Sequence, residues 1–195
     1  MVPLPSWPTA LAALAMWCTW WIADQVQPQI WGLTLGPIAL ALIARQVTFP
    51  LVNIARSAAA RQQFRQSPGA TAFALIAAIG LPLLALFLED ERLAQIAFTI
   101  FVAAMGLAQL FVLTYWPQDL GRISGSFGTR GETREGVHLI LGLSQLLLAL
   151  GGAALIGMGA EAAWVALMSV GQVIFKFLVY WIVVLWILSR DEGTT

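Results

Sequence analysis

Apolar residues fill six long blocks, separated by short polar stretches. The blocks cover about Trp7–Ala23, Trp31–Val52, Thr71–Leu88, Leu93–Trp116, Val137–Met158 and Trp164–Leu188. About 20 mostly apolar residues in a helix cross a bilayer. Open strands would leave backbone groups unpaired in lipid, so helices are the expected form. The pattern predicts an all-α, polytopic membrane helix bundle of six transmembrane spans, one integral-membrane domain over residues 1–195. The first block is short but rich in tryptophan (Trp7, Trp20, Trp21). It lacks a basic leader and a clear cleavage site, so it reads as a retained helix rather than a signal peptide.

The polar stretches carry opposite charge biases. Arg56, Arg61 and Arg65 follow the second block, Arg122, Arg130 and Arg134 precede the fifth, and Arg190 follows the sixth. The alternate loops hold Asp24, then Glu89, Asp90, Glu91 and Arg92, then Glu161. Basic loops stay on the cytoplasmic side, so both termini are expected there. Trp7, Trp31, Trp116 and Trp164 fall near the expected interfaces, where amphipathic rings settle. Asn53–Ser67 suits either a helix lying on the membrane surface or a solvated linker. The adjacent carboxylates Glu89, Asp90 and Glu91 suit helix capping in a tight turn.

Composition agrees with the pattern. Of 195 residues, 59% are hydrophobic and 10% charged, whereas soluble domains carry about 25% charged residues. Ten basic and ten acidic residues cancel, which leaves no net field to attract nucleic acid. Cys18 is the single cysteine, so no internal disulfide can form, and its apolar setting suggests packing. One histidine, His138, cannot supply paired haem ligation, and no cluster of Cys, His and carboxylates suggests a metal. His138 and Ser144 fall on different faces of one helix, so they make no nucleophile–base pair. No catalytic residue and no cofactor is expected.

The blocks are not uniformly apolar. Lys176, the only lysine, falls near the centre of the sixth. Ser169, Gln172, Lys176 and Tyr180 are spaced to share one helical face. Similar stripes run through Gln95, Thr99, Val102, Gly106 and Gln109, and through His138, Gly142, Gln145, Ala149 and Gly152. The second block adds Thr34, Ala41, Arg45 and Thr48, with Gly32 and Gly36 as a small-residue pair for helix packing. Together Lys176, Gln172, Ser169, Tyr180, Gln145, Gln109, Thr99 and Arg45 outline a candidate polar seam. No Asp or Glu lies inside a block, so a charged Lys176 needs carbonyls, water or an anion. On the plainer reading the amides join helices and Lys176 snorkels to an interface. A central lysine near Trp181 also resembles the retinal proteins, but six spans and no intramembrane carboxylate speak against that.

The stretch LALFLEDERLAQIAFTI, Leu84–Ile100, resembles the intracellular septation protein A family of small polytopic bacterial inner-membrane proteins. Leu84, Leu86, Leu88, Asp90, Glu91, Thr99 and Ile100 fit that family's leucine-rich helix end, acidic external turn and following helix. TREG at Thr133–Gly136, with Glu135 and Gly136, is similar to its cytoplasmic approach to the penultimate span. Trp164–Ala166 with Gly171 is similar to the start of its last span. Gln95, Ala97 and Phe98 replace the family's basic residues and proline, and Met168 stands where it has a lysine. The resemblance covers about half the chain, and none of its motifs is catalytic.

That resemblance implies non-enzymatic work at the bacterial inner membrane: envelope maintenance and septum-linked assembly through contacts with other membrane proteins or with further copies of the chain. The alternative is a small transporter or channel whose solute follows the seam around Lys176. The lipid bilayer is the partner common to both.

Overall fold

The computed structural model describes residues 7–30, 33–56, 80, 82–83, 90–115 and 132–191. Helix α1 spans Trp7–Val26, α2 Pro37–Arg56, α3 Glu91–Tyr115 and α4 Glu132–Gly157. A six-residue helix, α5 (Glu161–Ala166), runs through a π-helical turn, Leu167–Gly171, into α6 (Gln172–Asp191). The described residues are thus overwhelmingly helical, apart from a two-residue ribbon pairing β1 (Gln29–Ile30) with β2 (Leu33–Thr34). Among the described residues, three helical stretches are long and apolar enough to cross a membrane: Glu91–Tyr115, Glu135–Gly157 and Glu161–Trp186. Pro37–Val52 is a shorter apolar helix. Most of the block Thr71–Leu88 and most of Asn53–Ser67 lie outside the described residues, as do Trp31, Gly32 and Trp116.

The helices form two side-by-side pairs, α1 with α2 and α3 with α4. The last helical stretch joins them: its π turn packs on α1, and α6 packs on α4. One core cluster joins Met16, Ile38, Leu42, Phe98, Val102, Leu148, Trp164 and Met168. A smaller one, Val137, Val179 and Val183, closes the other end of α4 and α6. The outward faces are apolar, with Ile100, Leu107 and Phe111 on α3 and Leu143, Leu147 and Leu150 on α4.

The second span departs from its expected start at Trp31. Gln27 takes φ +47° and ends α1, with its N–H donating to Ala23 O at 2.8 Å. The ribbon follows, and α2 starts at Pro37, where a proline's fixed φ and missing N–H suit the first helical position. Thr34 therefore sits on a strand rather than in a helical stripe with Ala41, Arg45 and Thr48. Gly36 precedes α2 and is not part of a helix-packing pair.

Gly36 has another use. Glu91, at the start of α3, reaches across so that its carboxylate accepts from Ile38 N–H at 3.4 Å. A carboxylate there satisfies an orphan donor and complements the helix dipole. Its neighbour Asp90 caps α3 itself, accepting from Leu93 N–H at 3.0 Å. A Cβ on Gly36 would meet Oε1 of Glu91 and lie 3.1 Å from its Cδ and Cγ. Gly36→Ala should therefore push the carboxylate off α2 and cost about 1 kcal/mol, the usual worth of an N-terminal cap. Glu91→Gln should cost less, because its amide oxygen can still accept. Reversible unfolding in mixed detergent micelles would measure both.

Two further expectations change. Trp164 is fully buried rather than facing outward. Its ring meets Phe98 edge-on at 6.0 Å, and its indole N–H has a partner inside. Cys18 is exposed on the outside of α1 rather than packed among the described residues.

Candidate functional site

The site centres on Arg45, about 12 Å along α2 from Pro37 at 1.5 Å per residue. Its Nη1 donates to the backbone oxygen of Met168 at 3.0 Å. Its Nη2 donates to Gln172 Oε1. Its guanidinium carbon stands 4.6 Å from the centre of the Phe98 ring, a cation–π distance. One side chain thus ties α2 to α3 and to the last helical stretch.

The π turn makes this possible. A π turn shifts backbone pairing from i+4 to i+5 and re-aims carbonyls at the site of the shift. Met168 and Ser169, both within the turn, are fully buried. Ser169 Oγ donates back to Val165 O at 2.5 Å, so its hydroxyl serves its own helix. Gly171 lets the turn close: a Cβ there would stand 3.1 Å from Ala166 O.

Lys176 lies one turn beyond Gln172 on the same face of α6, within electrostatic range of Arg45. It is partly buried, as is Tyr180. Buried Val179 and Val183 continue that face, and Ile174, Leu178, Trp181 and Ile182 face outward. Lys176 therefore borders the bundle interior together with the Arg45 node.

Thr99 joins the same layer from α3, accepting from Trp164 Nε1 at 3.1 Å. Gly152 on α4 lets this layer close, because a Cβ there would run into Met168 Cε and lie 3.3 Å from Thr99 Oγ1. Trp164→Phe should keep the ring and lose the hydrogen bond, at about 1 kcal/mol. Thr99→Val should cost about the same, and the pair of changes should cost no more than either alone. A double-mutant cycle in micelle unfolding reads this directly.

Gln109 and Gln145 occupy a second location. Gly106 lets α3 and α4 approach closely, and a Cβ there would lie 3.1 Å from Gln145 Cβ. The Oε1 atoms of both glutamines are buried without a hydrogen bond among the described residues. The residues of the septation-like motif scatter. Asp90 and Glu91 cap helices, Trp164 and Thr99 bond one another, and Gly171 closes the π turn. Glu135 is exposed at the start of α4, and Gly136 lies under the indole of Trp186.

Sequence reasoning missed the Met168 carbonyl and the Phe98 face as partners of Arg45. A backbone oxygen leaves no signature in a sequence, though Gly171 hinted at irregular backbone. Among the described residues no group of His, Cys, Asp and Glu could hold a metal ion. Comparison with family models, curated proteins and solved structures gave no match.

Proposed function

We propose that this chain is a six-span protein of the bacterial inner membrane, with both termini cytoplasmic, that works without catalysis as a scaffold in envelope maintenance or septum-linked assembly. The observation that carries the reading is where the polar groups go. Arg45, Gln172, Thr99, Ser169 and Trp164 spend their hydrogen bonds on one another and on buried backbone. What the bundle offers outward is apolar helix surface. Such a protein acts through helix contacts, with other membrane proteins or with further copies of itself. The resemblance at Leu84–Ile100, Thr133–Gly136 and Trp164–Ala166 supplies the envelope setting, and the three apolar helices supply the membrane.

A small transporter or channel is the second reading. The observation favouring it is the pair of half-buried cations, Arg45 and Lys176, within an apolar bundle. One labelling experiment separates the two. A single Lys176→Cys substitution in a Cys18→Ala background is treated with a membrane-impermeant thiol reagent from each side of oriented vesicles. A folded protein that resists labelling from both sides supports the scaffold. Labelling from either side reveals an aqueous path and replaces the scaffold with transport.

A further inference from the structure

The last helical stretch holds one residue more than a continuous α-helix would need. In its π turn, Leu167–Gly171, backbone pairing runs to the fifth residue instead of the fourth. Such a change of pairing costs the backbone ladder a donor, and a buried carbonyl needs one. Side chains meet two carbonyls of this region. Ser169 Oγ donates to Val165 O at 2.5 Å, and Arg45 Nη1, from α2, donates to Met168 O at 3.0 Å. The neighbouring α4 is shaped to the turn as well. A Cβ on Gly151 would stand 3.3 Å from Leu167 Cδ2, and one on Gly152 would run into Met168 Cε. Contacts from outside the helix thus set where the turn sits.

Anchors hold the helix on both sides of the turn. Before it, Trp164 is tied to Thr99 of α3. After it, Val179 and Val183 are buried against Val137 of α4. While both anchors hold, the extra residue cannot be lost, because its loss would rotate one anchor by about 100° about the helix axis. The extra residue can only move. At the N-terminal end of the turn, pairing to the fifth residue is traded for pairing to the fourth. The reverse trade at the C-terminal end carries the turn toward α6, with no change in the number of backbone hydrogen bonds.

We propose that Leu167–Gly171 is a sliding joint and that Arg45 is its latch. When the guanidinium leaves the Met168 carbonyl, the turn moves along the helix toward Val179. Each residue it passes rotates by about 100°, into the direction its successor held. Gln172 then turns away from Arg45. Val173 takes the outward direction of Ile174, which is 56% exposed, and Ile174 turns inward. A movement of α2 is thereby passed to the outer surface of the last helical stretch. The joint goes beyond the scaffold reading, since it changes which side chains this surface presents whatever meets them.

The test uses the full chain in lipid vesicles, in a Cys18→Ala background. Spin labels are placed on single cysteines at Val173, Ile174, Leu178 and Ile182, and collision with dissolved oxygen reports how far each faces outward. In the parent, positions 174, 178 and 182 should be the accessible ones, as their exposure requires, and 173 less so. Arg45→Met should exchange the order of 173 and 174, a shift of one residue. Positions 178 and 182, on the anchored part of α6, should keep their values. Gly171→Ala approaches the joint from the other side. It keeps Arg45 but crowds the turn, because its Cβ stands 3.1 Å from Ala166 O, so it should give the same shift. If every variant that folds keeps the parent order, the proposal is overturned. A change that extends to 178 and 182 also overturns it, because the whole helix would then have repacked. The thiol labelling at position 176 bears on transport and leaves this comparison independent.

Discussion

Arg45→Met should be among the most damaging single substitutions in this protein, costing about 2–5 kcal/mol. Methionine matches the length of the arginine stem but donates nothing. The Met168 carbonyl and the Gln172 amide oxygen would then be buried without their donor, at about 1–3 kcal/mol for each orphaned group. The contact with the Phe98 face would also go, worth about 2 kcal/mol when desolvated. Against this, the substitution removes a charge from an apolar interior, which returns part of the loss. The penalties share one origin, so they should be partly recoverable. In Arg45→Met with Gln172→Leu the amide no longer needs a donor, and only the Met168 carbonyl remains unpaired. The double variant should therefore be more stable than Arg45→Met alone. Arg45→Lys should fall between, because an ammonium can reach one acceptor but cannot span two in a fixed fork. Denaturation in mixed micelles would rank all three. A double variant less stable than the single would show that Gln172 does not depend on Arg45.

The contrast between what the chain announces and what it hides follows from the range of the interactions. The stripes Gln95–Thr99–Val102–Gly106–Gln109 and His138–Gly142–Gln145–Ala149–Gly152 were legible because they repeat every three or four residues within one helix. The structure buries all of these residues except Gln109 and Gln145, which are half-buried. Helical periodicity is local, and lipid enforces it by rejecting polar groups from the outer face. Arg45 and Met168 are 123 positions apart, and one partner is a peptide carbonyl that every residue possesses. Nothing in a single sequence marks such a pair.

Trp164 misleads for a related reason. Tryptophan favours both interfaces and interiors, and its place is decided by whether the indole N–H finds an acceptor. Thr99 provides it from 65 positions away. The ribbon's second strand, Leu33–Thr34, was hidden inside an apolar block because Trp31 and Leu33 raise the local hydropathy as a helix would. Pro37 and Gly36 were the local signs of a later helix start, and helix-packing spacing concealed them by placing Gly32 and Gly36 four apart. The capping reading of the acidic turn was legible for Asp90, which acts on its own helix. Glu91 acts on α2, 53 positions away from its partner Ile38.

Gly106→Leu should be at least as damaging as Arg45→Met, through packing alone. Lipid tails are as apolar as leucine, so no hydrophobic gain holds α3 to α4 in a bilayer. Close van der Waals contact must do so, and at Gly106 and Gly142 the two backbones come close. A Cβ on Gly106 would stand 2.9 Å from the Gly142 carbonyl oxygen, 3.1 Å from Gln145 Cβ and 3.2 Å from Leu146 Cγ. A backbone oxygen inside a helix cannot step aside, so the helices must part. A Cβ on Gly142 meets Leu110 first, at 2.8 Å from Cδ2, and the Gly106 oxygen only at 3.3 Å. The Leu110 side chain can change rotamer. Gly106→Ala should therefore cost more than Gly142→Ala, with overpacking of this kind worth about 1–3 kcal/mol. Gly106→Leu should exceed that range, separate the pair and leave Gln109 and Gln145 open to solvent or lipid. Gly142→Ala combined with Leu110→Ala should regain most of what Gly142→Ala loses, whereas Leu110→Ala should not rescue Gly106→Ala. Unfolding midpoints for these variants would establish the order. Equal losses at the two glycines would mean that the pair does not meet along this line, and that another stripe of α3 faces α4.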